Sequence, residues 1–441
     1  MKNRPTCRWP RRCRLAAAIL AAGAAGLAAV RAEEAPQLLS LADARVIALR
    51  NHPRYAAAQL QSFLAREVVR ETRANYYPTA TGFVTAAGAT TEGTRILAGA
   101  LNNPSIYDRV AGGVNVTQLI TDFGRTSNLT ASAQAEARGA AAGAESTREQ
   151  VVLNAETSYF AALQAQSVLE VARQTLGSRN LVMSQVSALA QSNLKSSLDV
   201  SFAQVAVEEA DLLVQQAEGQ EQSAQASLSA ALGYRDERPF VLTDQPEPAA
   251  GLPAVQGLIE EALRNRPELL RLRAERDAAQ SEASAQKDAN YPTLAAVGTA
   301  GNSPWHDSHL DANYAAGGVQ LSIPIFAGGA YIAREREAQL RAEVADDALR
   351  EAEDNTARDV RIAWAGVGTA LQRLRTTNQL VQHATEAFNL ARERYKVGSS
   401  SVIELSEAQL SETSAAISQA TARYDTLIQK ALLDFETGEI K

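Results

Sequence analysis

Two apolar periods alternate along the chain. From Val319 the apolar positions fall on every second residue, at Val319, Leu321, Ile323 and Ile325, with Gln320 and Ser322 between them. A period of two sends alternate side chains to opposite faces of a strand. Val114, Val116 and Ile120, opposite Asn115 and Thr117, repeat the pattern earlier in the chain. Elsewhere the step is seven. Ile403, Leu410, Ile417, Tyr424 and Ala431 predict a supercoiling helix seam, and Leu198, Val205, Leu212 and Ala226 repeat it with Gly219 interrupting.

The longest predicted element runs from Arg125 to Gln191. Its 67 residues contain no proline and are mostly helix formers. At 1.5 Å per residue such a helix is roughly 100 Å long, far beyond the ordinary globular range. A second rod is expected over about 330–395. Each rod is followed by a short turn and a further helix, at about 198–232 and 402–437. Ahead of each rod stand an amphipathic helix (about 40–74, then 254–289), interrupted at Pro53 or Pro267, and two strands (about 79–121, then 293–326). Asp122 and Arg125, beside Gly124, mark the first strand-to-helix transition.

The plan is used twice. Ala48-Leu49-Arg50-Asn51-His52-Pro53 recurs as Ala262-Leu263-Arg264-Asn265-Arg266-Pro267, at an offset of 214. Asn75-Tyr76-Tyr77-Pro78-Thr79 recurs as Asn290-Tyr291-Pro292-Thr293. Beyond the strands the offset is 205, matching Gly124 to Gly329, Tyr159 to Trp364, Asp199 to Glu404 and Gly233 to Gly438. The length difference falls between the strands, where loops tolerate it and rods do not. The units are therefore a first repeat over 33–237, a Pro-rich linker over 238–253 and a second repeat over 254–441.

Residues 1–32 stand outside this plan. A basic start is followed by the 16-residue apolar run 15–30 and the small-residue site Val30-Arg31-Ala32, which reads as a secretory signal peptide. Removing its seven basic residues moves the net charge from −7 to about −14, which excludes nucleic acid as a partner. Cys7 and Cys13 both fall in this segment, so the mature chain is expected to carry no disulfide, no lipid anchor and no cysteine-based chemistry. No cofactor is expected. His306-Asp307-Ser308-His309 reads as a polar loop rather than a metal site. No later run is apolar enough for a spanning helix, so any membrane crossing must use strands closed into a barrel.

Four strands per chain cannot close a barrel, since about eight are needed even for a filled one. Copies of the chain must complete it, and three give twelve strands. The motifs named here, with Ile323-Pro324-Ile325-Phe326-Ala327-Gly328-Gly329 and Arg394-Tyr395-Lys396-Val397-Gly398-Ser399-Ser400-Ser401-Val402-Ile403-Glu404-Leu405, resemble the TolC family of outer-membrane efflux ducts over nearly the whole mature length. The resemblance implies a mainly α fold with a small β part. Two repeats of long coiled-coil helices and four transmembrane strands per chain would form a homotrimer, a 12-stranded β-barrel continuous with an α-helical barrel. It implies location in the outer membrane of a Gram-negative bacterium, with a long periplasmic extension and lipid around Val319, Leu321 and Ile323. It implies partners: a periplasmic adaptor and an inner-membrane transporter of RND, ABC or MFS type.

Site residues follow by motif position. Glu404 and Glu407 fall on the acidic ring of the periplasmic mouth, and at i and i+3 they share a helix face. Asp199 and Tyr395 fall on the closing network. Ser400 stands where the family has an arginine, which leaves Lys195 and Lys396 as candidate cations. Asn193, Leu194 and Lys195, with Val397, Gly398 and Ser399, fall on the tips that meet the adaptor. The main reading is a non-enzymatic exit duct for drugs or other solutes, with protein secretion or metal efflux as alternatives. A coiled-coil scaffold or adhesin would explain the rods but not the strands placed symmetrically between them. An enzyme lacks any nucleophile or phosphate-loop motif to stand on.

Overall fold

A computed structural model describes residues 37–88, 108–192, 194–246, 251–308 and 311–440. The signal peptide, its cleavage site, Asn193 and His309 lie outside the described residues. Fourteen elements follow in chain order: β1 (Gln37–Leu39), α1 (Leu41–Asn51), α2 (Pro53–Ala74), β2 (Thr79–Ala87), β3 (Arg109–Thr121), α3 (Arg125–Gln191), α4 (Ser197–Ala231), β4 (Phe240–Leu242), α5 (Val255–Asn265), α6 (Pro267–Asp288), β5 (Thr293–His306), β6 (Asn313–Ser322), α7 (Ala330–Lys396) and α8 (Val402–Thr437).

Both rods form, each as one helix of 67 residues. Asp122 caps the first, accepting from the Thr126 amide at 2.7 Å. The two amphipathic segments are interrupted at Pro53 and Pro267, where the pattern predicts. Each breaks into two, because the residue before a proline is forced out of helical geometry. His52 and Arg266 adopt extended backbone, and Pro53 and Pro267 occupy the first turn of the next helix, where a missing N–H costs nothing.

The strands form one antiparallel sheet in the order β2-β3-β5-β6. It ends earlier than the apolar period suggests. β6 stops at Ser322, so Ile323, Pro324, Ile325 and Phe326 lie past the ladder. Proline donates no ladder hydrogen bond, and the chain turns there toward α7. Ile323 therefore extends the line of the strand as an exposed side chain without belonging to it.

The helices continue this order. On the sheet side α2 packs on α3, α3 on α6 and α6 on α7; farther along, α4 packs on α3, α3 on α8 and α8 on α7. The layers therefore leave β2, β6, α2, α7 and α4 at open edges. Among the described residues no helix is long and apolar enough to cross a membrane.

The seven-residue seam does not hold the chain to itself throughout. Tyr424 and Ala431 are buried, but Ile403 and Leu410 are exposed, as are Leu198, Val205 and Leu212 on α4. An α-helix drifts about 20° per heptad, so positions seven apart wander off one face. The buried face of α8 instead passes through Val402, Thr413 and Tyr424, eleven apart. The predicted linker is also more than a linker. Its β4 pairs in parallel with β1 at the other end of the first repeat. Tyr159, fully buried, donates to Leu39 O at 3.1 Å or Thr243 O at 2.7 Å and ties that small sheet to α3.

Candidate functional site

The four-stranded sheet has two unlike faces. Cross-strand register places Val84, Val114, Val116, Val319 and Leu321 on one face. Thr79, Thr81, Asn115, Thr117, Thr299, Gln320 and Ser322 lie on the other. The valines and leucine are exposed, so none of the described residues covers the apolar face. Such a sheet suits a wall between hydrocarbon and water.

At the far end of the rods two hairpin turns meet. The α3–α4 turn is closed by a capping box, with Ser196 and Asp199 each satisfying the other's backbone amide. In the α7–α8 turn the Arg394 guanidinium donates to Glu404 Oε1 at 2.7 Å and to the Ser399 carbonyl at 3.3 Å. Ser400 donates to Glu404 Oε2 at 2.7 Å, and Ser401 accepts from the Glu404 amide at 3.2 Å. Glu404 is thus held within its own hairpin. Glu407, one turn on, is exposed.

Tyr395 joins the two hairpins. It is 3% exposed and packs with Val182, Val186 and Ala203 of the first hairpin and Phe388, Val402 and Leu405 of the second. Its hydroxyl is buried without a hydrogen-bond partner among the described residues. Burial, with the Asp199 charge adding, holds its phenol above the usual value. The Lys195 ammonium lies 4.5 Å from the ring centroid, a cation–π contact between hairpins. Lys396 instead pairs with Glu393 at 2.7 Å. The structure thus brings Asp199, Lys195 and Tyr395 together, and separately Ser400 with Glu404. Leu194, Val397, Gly398 and Ser399 are exposed at the turns. Arg394 had been visible only as part of a motif, since nothing in its spacing announces that it reaches across a turn to Glu404.

Behind the tips, α3 and α8 meet through polar rungs that no periodicity revealed. Thr175 and Thr413 hydroxyls lie 3.2 Å apart, Gln409 donates to Ser178 at 2.8 Å, and Arg179 donates to Ser406 at 2.9 Å. Arg179 is 6% exposed, and burial lowers its pKa, partly countered by Glu209. Nearer the middle, Arg45 pairs with Glu156 and Arg266 with Glu436, both at 2.6 Å. Glu149 is buried near Arg266, and desolvation with the Glu145 charge pushes its carboxyl up to about 7. His306 ends β5 with Nδ1 3.0 Å from the Asp307 carbonyl oxygen.

A wall with one apolar and one hydroxyl-rich face, standing on two rods of 67 residues, defines a membrane-anchored tunnel protein. The chain belongs to the family described as outer membrane efflux protein, which matches residues 44–234 and 258–439. A relative, the solvent efflux pump outer membrane protein SrpC of Pseudomonas putida, is 27% identical over 85% of this chain and 79% of its own. Among solved structures, a membrane protein from Pseudomonas aeruginosa superposes with a TM-score of 0.78 at 23% identity, covering 91% of each chain. The VceC outer membrane protein of Vibrio cholerae superposes at 0.74 and 18% identity, covering 90% of this chain and 96% of its own. At these identities the superpositions carry the fold. The chain is an outer-membrane efflux component with a long helical extension into the periplasm.

Proposed function

We propose that three copies of this chain close into one passive exit duct, catalysing nothing, that hands solutes from an inner-membrane transporter through a periplasmic adaptor to the outside. The observation that carries this reading is the coincidence of open edges. The sheet ends on β2 and β6, and the helix layer above it ends on α2 and α7. α2 exposes Leu60, Phe63 and Leu64, and α7 exposes Ile332, Leu340 and Val344. Joining β6 to the next copy's β2 joins α7 to its α2 in the same step. Farther down, Leu198, Val205 and Leu212 on α4 find Leu380 and Leu390 on the neighbouring α7.

In this assembly the lipid-facing side chains are Val319, Leu321 and Ile323. Leu194, Lys195, Val397, Gly398 and Ser399 present the tips to the adaptor. Asp199, Lys195 and Tyr395 hold the hairpins together at the closed mouth, Ser400 anchors Glu404, and Glu407 lines the opening. Small apolar solutes are the preferred cargo class, in keeping with the name of the Pseudomonas putida relative.

The reading is tested with a photoreactive residue at Ser399 in living cells. Capture of a periplasmic adaptor, with heat-sensitive trimers in outer-membrane fractions, is the expected result. Capture only of extracellular proteins, or the absence of trimers from those fractions, would return a scaffold role to first place.

A further inference from the structure

Phe83, Gly113, Gly301 and Tyr314 stand side by side on one rung that crosses all four strands. The rung lies on the hydroxyl-rich face, two positions from Thr81, Asn115 and Thr299, which becomes the inner wall once the sheet is closed. Tyr314 does not stand out from that wall. A β-carbon built on Gly301 would be 2.5 Å from the ring carbon that bears the hydroxyl, and one built on Gly113 would be 2.7 Å from the hydroxyl itself. The ring therefore lies across β5 and reaches β3, over two glycines whose β-carbons would also stand 2.5 Å from the Gly112 carbonyl oxygen and 2.6 Å from that of Ala300. Glycine serves here by the close approach it permits.

The consequence for a duct is geometric. Twelve strands about 4.8 Å apart and tilted about 40° enclose a bore of roughly 24 Å between opposite backbones. Side chains already take part of that width. A tyrosine standing upright in each of three chains, at one height by symmetry, would take much of the rest. We propose that Gly113 and Gly301 form a recess that parks Tyr314 flat on the lumen wall, and that this recess sets how bulky a solute can leave through the barrel. The inference rests on the duct reading above. It makes Tyr314 a size-determining residue of the lumen and the two glycines the residues that position it.

The test compares Tyr314→Phe, Tyr314→Ala and Tyr314→Trp in cells lacking the natural gene, with export read for a bulky macrolide and for the small dye ethidium. Heat-sensitive trimers are counted in each strain. Phe fits the recess, Ala vacates it and Trp overfills it. The expected result is that Trp lowers macrolide resistance at least fourfold and spares ethidium, while Phe and Ala change neither. A Trp variant that assembles and exports both normally overturns the proposal, as does an Ala variant with the same selective loss as Trp. Should Trp fail to assemble, Tyr314→Cys is labelled in assembled trimers with a bulky maleimide. Selective loss of macrolide export on labelling supports the proposal, and export of both solutes unchanged after complete labelling overturns it. A natural chain that restores neither solute defeats the duct reading itself, an outcome distinct from a working duct that is indifferent to Tyr314→Trp.

Discussion

Gly233 lies so close to Asn51 that a β-carbon on the glycine would stand 2.9 Å from the Asn51 carbonyl carbon. The second repeat makes the same joint more loosely, with Gly438 placed so that its β-carbon would be 3.4 Å from Arg266 Cα. In each repeat the last helix ends on a left-handed glycine (φ 78° and 75°) docked against the break between the two short helices.

Substitution at the two joints should therefore differ in cost. Both Gly233→Ala and Gly438→Ala incur left-handed strain of roughly 1–2 kcal/mol. Only Gly233→Ala also drives a methyl into backbone, so its penalty should exceed the other by about 1–2 kcal/mol. Thermal unfolding of the purified protein in detergent checks this. Equal melting temperatures for the two variants would show that the joints are equally tight.

Glu149 sets a pH dependence of known sign. Its carboxyl sits near 4.5 when unfolded and is raised to about 7 in the fold. An acid raised by folding favours its protonated form there. Its stabilising share is complete below pH 4.5 and is lost as pH rises through 7. The protein should be less stable at pH 8 than at pH 5.5, by about 2 kcal/mol per chain from this group. Glu156, Asp434 and Glu436 are shifted the same way, so Glu149→Gln should flatten the profile without abolishing it. A profile unchanged in the Gln variant would exonerate Glu149.

The two mouth carboxylates should not be equivalent. Arg394 pairs with Glu404 at 2.7 Å, while Glu407 is exposed and has no ion pair among the described residues. Block of single-channel current by a trivalent cation should weaken about tenfold in Glu407→Gln and much less in Glu404→Gln. In an Arg394→Ala background the Glu404→Gln effect should grow. If Glu404→Gln dominates in the natural chain, the hairpin clamp does not persist in the working trimer.

A reversible lock follows from the polar rungs. Thr175 and Thr413 approach within 3.2 Å through their hydroxyls, and the chain's cysteines, Cys7 and Cys13, both precede the repeats. Thr175→Cys with Thr413→Cys should form a disulfide between α3 and α8 in the oxidising periplasm. Export should stop and return on adding reductant. Undiminished export with the disulfide formed would mean the hairpins do not part at this height.

The sequence displayed its rods and repeats because proline-free length and equal offsets are local, additive signals. Gly124 matching Gly329 needed no contact to be seen. What it hid were relationships made only in three dimensions. β1 and β4, three residues each, are too short to carry a period, and β4 sits among prolines that read as linker. Tyr159 reaches Leu39 across 120 positions. The seven-step seam is apolar in the sequence, but a period alone does not say what it packs against, and at Leu198 and Leu410 it faces outward. At the tips, Asp199 and Tyr395 were placed by motif. Of the two candidate cations, turn geometry puts Lys195 beside them and Lys396 on Glu393, and only the turn shows Arg394 as the partner of Glu404.

The coincidence of open edges has a further cost for the cell. In the proposed trimer a single chain cannot shield its apolar sheet face or complete its ladder, so it has no stable place in the lipid before two others arrive. Membrane insertion and assembly then become one event whose rate climbs steeply with the supply of chains. Halving synthesis should lower the number of finished ducts by more than half, and the unassembled surplus becomes a target for periplasmic proteases.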